Sequence, residues 1–269
     1  MPYAGVRGQR FYYEVAGEGD FVLLLHGVLA NADIMEAPAT GLASGFRAAR
    51  LDRRGCGRTT PPTEGPVPLH EEADDLLALL DWFSIEKTHL VAHDEGAELA
   101  LEFALRNPGR TGSLALLAPS LEGYSSSPEA AAAAAELRAA LKAGPAKALE
   151  ERFFPSALFD VAREHEGVFE RITDIYRRFP QSPGRLDRLP RAGAALAGRL
   201  GAVFARTFVL VGERDEEDRL RSAKAIAAGI AGAELAVVPE TSRFLHVEES
   251  RAVMRKLTDF FLPEPEIEP

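Results

Sequence analysis

The chain reads as an α/β protein: a mostly parallel sheet flanked by helices and interrupted by a helical insertion. Three observations predict this. From Thr88 to Leu105 (THLVAHDEGAELALEFAL) a short apolar run ending at Ala92 turns sharply through His93-Asp94-Glu95-Gly96 and continues with helical period, giving strand, turn and helix. Phe21 to Leu25 is a continuous apolar run, the pattern of a strand covered on both faces in a parallel sheet. Between Leu121 and about Phe204 strand patterns stop and helical ones take over.

The elements follow in order. Tyr3 to Val6 and Phe11 to Val15 predict a hairpin turning at Arg7-Gly8, and Gly17 to Asp20 a turn before the Phe21 strand, which runs straight into His26-Gly27-Val28. Phe46 to Leu51 predicts a strand ending in Asp52-Arg53-Arg54-Gly55-Cys56-Gly57-Arg58-Thr59. Pro61, Pro62 and Pro66 mark a loop, and Leu69 to Phe83 an amphipathic helix whose Trp82 serves packing. Ser113 to Ala118 is the next strand. Helices are then predicted over Pro128–Ala143, with Ser127 as cap, Ala146–Phe154, Phe159–Phe179 and Leu189–Leu200. Thr207–Val211 resumes the sheet, Arg219–Ile230 is helical, Ala233–Val238 is the last strand and Glu249–Leu262 the closing helix. The tail from Pro263 to Pro269 is acidic and proline-rich, hence frayed.

The strand–turn–helix over Ala92-His93-Asp94-Glu95-Gly96 resembles the nucleophile elbow, G-x-S-x-G, of the α/β-hydrolases, with Asp94 at the nucleophile position. The His26-Gly27 loop, the Asp52–Thr59 segment, which is similar to D-x-R-G-x-G-x-S, and Gly212-Glu213-Arg214-Asp215 extend the resemblance over nearly the whole chain. It implies an eight-stranded α/β-hydrolase core over residues 1–121 and 204–269, with a helical cap over 122–203. It also implies Val28 and Glu95 N–H groups as oxyanion-hole donors, Asp215 as the triad acid, and a cavity between cap and core lined from His26, Tyr124, Phe153 and Tyr176. Which of the cap aromatics Phe153, Phe154, Phe159, Phe169, Tyr176 and Phe179 line that cavity and which fill the cap stays open.

The catalytic letters depart from the family pattern. In Val238-Pro239-Glu240-Thr241-Ser242-Arg243-Phe244-Leu245-His246-Val247-Glu248, Arg243 occupies the slot of the triad histidine and His246 that of a second histidine which is ordinarily not the base. Asp94 and Arg243 would then be opposite charges at one spot, worth roughly 4 kcal/mol at contact and an effective dielectric of about 20 before desolvation. Arginine stays protonated and is a poor base. A carboxylate at the elbow resembles the nucleophile of haloalkane dehalogenases and epoxide hydrolases, which opens C–halogen or C–O bonds at saturated carbon. Glu95 replaces the dehalogenases' halide-binding Trp, and Leu29 stands where epoxide hydrolases have Pro.

Three readings follow. The first is a hydrolase of weak or altered catalysis acting on a small, largely apolar substrate, with Asp94 as nucleophile or anchor and His246, His165 or water as base. The second is a non-catalytic ligand-binding descendant, and the third an active-site-substituted form of a serine esterase or lactonase.

Composition bounds the rest. A formal net charge of −10 argues against a nucleic-acid surface, and a lone Cys56 excludes an intrachain disulfide and any cysteine-based metal site. No stretch reaches the roughly 18 apolar residues of a membrane span, and the N-terminus has no secretory apolar segment, so a cytoplasmic protein with no membrane contact is expected. His26, His70, His89, His93, His165 and His246 have no metal-ligand spacing, so neither metal nor cofactor is implied. The oligomeric state is left open.

Overall fold

A computed structural model describes residues 3–27, 29–61, 67–121, 128–178 and 196–262. Val28, Tyr124, the Ser127 cap, Pro62, Pro66, Phe179, the first part of the Leu189–Leu200 helix and the tail from Pro263 lie outside these residues.

Eight strands form one sheet: β1 (Tyr3–Val6), β2 (Gln9–Ala16), β3 (Phe21–Leu25), β4 (Arg47–Leu51), β5 (Thr88–His93), β6 (Thr111–Leu117), β7 (Arg206–Gly212) and β8 (Glu234–Val238). Their order is β1-β2-β4-β3-β5-β6-β7-β8. Only the β1–β2 and β2–β4 pairs are antiparallel; β3 pairs in parallel with β4 and β5, and β5 to β8 continue in parallel.

Alternation along β3 divides the core. Val22 and Leu24 face a cluster with α1 (Glu36–Leu42) and the closing helix, whereas Phe21, Leu23 and Leu25 face α2 (Leu69–Trp82) and α3 (Gly96–Arg106). Both faces of the strand are thus covered, as its uninterrupted hydrophobicity predicts. Trp82 is half-exposed and meets Tyr13 and Phe83 edge-on, a surface-packing role.

Between β6 and β7 every described element is helical: α4 (Pro128–Ala143), α5 (Pro145–Ala148), a π turn (Leu149–Phe153), a 3-10 turn (Ala157–Phe159), α6 (Asp160–Glu164), α7 (Val168–Arg177) and a 3-10 stretch (Ala197–Ala202). The helix predicted over Phe159–Phe179 is broken, because His165 is extended and Gly167 adopts φ +73° at the start of α7. The chain ends with α8 (Glu217–Gly229), α9 (Leu245–Glu248) and α10 (Ser250–Phe261). Among the described residues no helix is long and apolar enough to cross a membrane.

Candidate functional site

The site lies at the carboxyl ends of the parallel strands, where β5 turns into α3. Asp94 forms that corner with φ 53°, a left-handed conformation that costs a non-glycine residue about 1–3 kcal/mol. Tertiary contacts hold it. The Asp94 N–H donates to the Leu117 carbonyl at 3.0 Å, and the Asp94 carbonyl accepts from Ala97 N–H at 3.1 Å and Ser120 N–H at 3.2 Å. Two glycines make room: a Cβ on Gly96 would lie 2.7 Å from the Leu25 carbonyl, and one on Gly27 2.7 Å from an Asp94 carboxylate oxygen. The carboxylate therefore projects against the loop that follows β3.

That loop is braced from below. The His26 ring sits 2.7 Å from the Gly27 carbonyl through Nδ1 and accepts the Arg53 N–H through Nε2 at 3.0 Å. With both nitrogens engaged by backbone, His26 shapes the loop. Arg53, fully buried, binds Glu72 at 3.0 Å and the His26 carbonyl at 3.1 Å, and reaches Glu95 at 3.6 Å. Asp52 accepts from Ala32 N–H at 2.7 Å and Arg58 N–H at 2.6 Å, so the Asp52–Thr59 segment is structural.

The charge partner of Asp94 differs from the expectation. Arg219, on the first turn of α8, places Nη2 at 2.8 Å from Asp94 Oδ1 in a largely buried pair. Arg243, expected to pair with Asp94, directs Nη2 to Glu216, beside Asp215, while its charge still acts on Asp94. A guanidinium does face the elbow carboxylate, but it comes from a different element. Arg219 was not among the residues expected here, yet it carries a local signal: a cation in the first helical turn opposes the helix dipole, so its partner lies outside the helix.

Burial alone would raise the Asp94 pKa. Arg219 foremost, then Arg243, His93 and the Glu95 N–H, outweigh it and hold the group down to about 2. Asp215 is buried, with Oδ1 accepting the Glu216 N–H at 2.8 Å and Oδ2 unpartnered. Desolvation raises its pKa against the pull of Arg243 and Arg219. Glu98, one turn into α3, is pushed up to about 8 by burial and by the neighbouring Glu95.

Among the described residues no imidazole serves the elbow. His93 points beneath it, its Nε2 at 3.0 Å from the Arg243 carbonyl, and burial lowers its pKa to about 4. His246 is buried in α9 with its ring centroid 4.3 Å from that of His93, and burial drives its pKa well down. It packs behind His93 and makes no hydrogen bond to Asp94.

Aromatic side chains of the helical insertion pack on Phe244, the residue after Arg243. Phe159 stacks on Phe244 with centroids 5.2 Å apart, and Phe153 and Tyr176 join the same cluster with Phe154. Tyr176 is buried; desolvation foremost and the Asp94 charge next push its hydroxyl pKa up. The structure thus brings Asp94, Glu95, Asp215, Arg243 and Tyr176 into one neighbourhood, adds Arg219, and sets His246 behind it. Of the two oxyanion candidates only Glu95 is described; Val28 and the cavity candidate Tyr124 are not.

With this geometry in hand, known proteins are informative. The model of the alpha/beta hydrolase fold family matches residues 20–249. A putative carbamate hydrolase RutD of Variovorax paradoxus is 29% identical over 93% of this chain and 95% of its own. A 2-hydroxy-6-oxononadienedioate/2-hydroxy-6-oxononatrienedioate hydrolase of Comamonas testosteroni is 27% identical over 95% of this chain and 92% of its own. Among solved structures, the enol-lactonase of Burkholderia xenovorans LB400 superposes with a TM-score of 0.80 at 22% identity, covering 96% of this chain and 99% of that one. A Nitrososphaera gargenis structure described among carboxylesterases gives 0.83 at 21% identity over 96% and 97%. At these identities the superpositions speak for the fold.

Proposed function

The chain belongs to the α/β-hydrolase fold family, and from that premise we propose that it is a member that binds a small molecule and whose elbow carries an ion pair in place of a nucleophile–base relay. The observation that carries this reading is the 2.8 Å contact between Asp94 and Arg219. A carboxylate neutralised in this way has one oxygen committed to a guanidinium and a pKa of about 2, both of which weaken it as a nucleophile. Against an ester it would form an anhydride, a poor route to hydrolysis.

Release is the second obstacle. Family chemistry needs an imidazole to activate water, and here Arg243 stays protonated, His93 and His246 are buried beneath the elbow, and His165 ends α6, where its charge acts on Glu164 and Glu248. In another triad enzyme, losing the nucleophile or the histidine cost roughly a millionfold in kcat. The relatives' names all describe hydrolases of small molecules, which supports a small ligand between cap and core.

One observation favours a second reading. Asp94 stands at the strained apex with its carboxylate against Gly27, the position from which an elbow carboxylate would attack saturated carbon. The experiment is turnover and intact-mass analysis with esters, lactones, alkyl halides and epoxides. The binding reading expects neither turnover nor adduct. An adduct that Asp94→Asn abolishes supports nucleophilic chemistry, and ester turnover by the wild type defeats the proposal.

A further inference from the structure

Helices α6 and α7 are fastened to the loops that follow β3, β7 and β8, the loops beside the elbow. Glu164, at the end of α6, takes Arg214 in a two-bond grip, Nη1 at 2.5 Å from Oε2 and Nη2 at 2.7 Å from Oε1, and Arg214 precedes Asp215 in the turn after β7. Arg171 of α7 reaches Glu36, at the start of α1, at 3.0 Å, and the Ile175 carbonyl accepts from Asn31 Nδ2 at 3.4 Å in the loop after β3. Phe159 and Tyr176 pack on Phe244 in the loop after β8. With these contacts made, Asp94, Asp215 and Tyr176 are buried, so a small molecule meets Asp94 only after elements packed around it part.

The two ion pairs differ in kind from the apolar contacts. Both are half-exposed, and pairs of that sort shift an equilibrium by only about two- to fivefold each and weaken in salt. Among the described residues the other ion pair between insertion and core, Arg199 with Glu102 at 2.9 Å, sits where the insertion returns to the sheet.

Arg214 also has a second carboxylate within reach, since Oε2 of Glu240, in the turn after β8, lies 3.6 Å from its Nη1. Loss of Glu164 therefore leaves the guanidinium a partner on the core that is already in place, which is the arrangement of a two-state element. Between the two helices His165 is extended and Gly167 left-handed, and these residues can absorb a change of angle.

We propose that α6 and α7 form a salt-sensitive lid on the elbow, held shut by the Arg214–Glu164 and Arg171–Glu36 pairs, and that on opening Arg214 passes from Glu164 to Glu240. This rests on the reading that a small molecule binds at the elbow, and it assigns the step that admits that molecule.

Amide hydrogen exchange followed by mass spectrometry on the full chain without ligand tests it, with α3 and β5 as internal references. At about 0.01 M salt, Glu36→Gln/Glu164→Gln is expected to speed exchange in α6 and α7 about four- to twentyfold and to leave α3 and β5 unchanged. At about 1 M salt the wild type should approach the double variant to within about twofold. Glu240→Gln should act in the opposite sense and slow exchange in α6 and α7 about twofold, because the open state loses its partner.

Equal exchange in wild type and double variant overturns the lid, as does an acceleration shared by α3 and β5 or a difference that salt leaves untouched. Unchanged or faster exchange in Glu240→Gln overturns the hand-over. If the double variant does not fold, the salt dependence of the wild type decides, since the lid requires acceleration confined to α6 and α7. No ligand enters these measurements, so ester turnover by the wild type would defeat the non-hydrolytic reading and leave the lid standing.

Discussion

Arg219 stands four residues beyond Asp215 on the first turn of α8, and its Nη2 meets Asp94 Oδ1 at 2.8 Å across the mouth of the elbow. The elbow residue Asp94 is thereby tied to the helix that follows β7 and Asp215. The residue in the histidine slot, Arg243, is turned aside to Glu216.

Breaking that tie leaves a buried charge without its partner. Arg219→Gln is expected to destabilise the fold by about 3 kcal/mol, since removing one member of a buried pair typically costs 3–5 and this one is slightly exposed. The double variant Asp94→Asn/Arg219→Gln is expected to lose much less than the sum of the singles. Urea unfolding of the four proteins gives the coupling; additive losses would mean that the two groups do not interact.

The buried histidines set an acid limit on stability. His93 has a folded pKa of about 4 against the ordinary 6.5, so below 6.5 the unfolded state binds the extra proton. Stability should then fall by about 1.4 kcal/mol per pH unit from this residue between 6.5 and 4, with His246 adding in the same direction. Asp94 adds a further loss as pH drops from 3.8 towards 2. Free energies of unfolding across roughly pH 4 to 8 check the slope, and His93→Phe should remove about one proton's worth of it if the substituted ring packs.

Glu98 acts with the opposite sense. Its folded pKa of about 8 lies above the ordinary 4.5, so between those values the folded state holds a proton that the unfolded state has released, and stability falls as pH rises. The accumulated cost above pH 8 is about 5 kcal/mol by order of magnitude. Glu98→Gln should therefore stabilise the protein at about pH 9 and change little at about pH 5. An equal effect at both values would show that Glu98 is not held neutral.

Installing serine and histidine at positions 94 and 243 tests the substituted-site reading. Asp94→Ser combined with Arg243→His is expected to produce measurable ester hydrolysis where neither single change does, because triad members act as a unit. Asp215 Oδ2 has no partner and is free to orient the new imidazole. Continued inactivity of a folded double variant would mean that the oxyanion geometry or the cavity has gone as well.

Much of this architecture is legible in local pattern. The Phe21–Leu25 run and the Thr88–Leu105 unit declare themselves because each is short, continuous and ended by glycine or a sharp turn. The helix Glu36–Leu42 went unread because Pro38 and Gly41 lie inside it and depress its propensity, while burial of Pro38, Ala39 and Leu42 holds it in place. The single helix expected over Phe159–Phe179 failed at Gly167, where positive φ ends one axis and begins another.

At the site, the family resemblance pointed to Asp94, Asp215 and Arg243, which the structure brings into one neighbourhood, but not to which guanidinium meets which carboxylate. Arg219 and Asp94 are far apart in sequence and meet only because α8 packs beside the elbow. Arg243 had both Asp94 and Glu216 to choose from, and no one-dimensional pattern encodes that choice.

Arg219 holds the elbow carboxylate ionised and occupied. The direct measurement is a carbon-13 NMR titration of the Asp94 side-chain carboxyl, assigned with Asp94→Asn and repeated in Arg219→Gln. Asp94 in the wild type is expected not to titrate until pH approaches about 2, with a clear upward shift in the variant. A wild-type midpoint at the ordinary 3.8, unmoved by loss of Arg219, would contradict it.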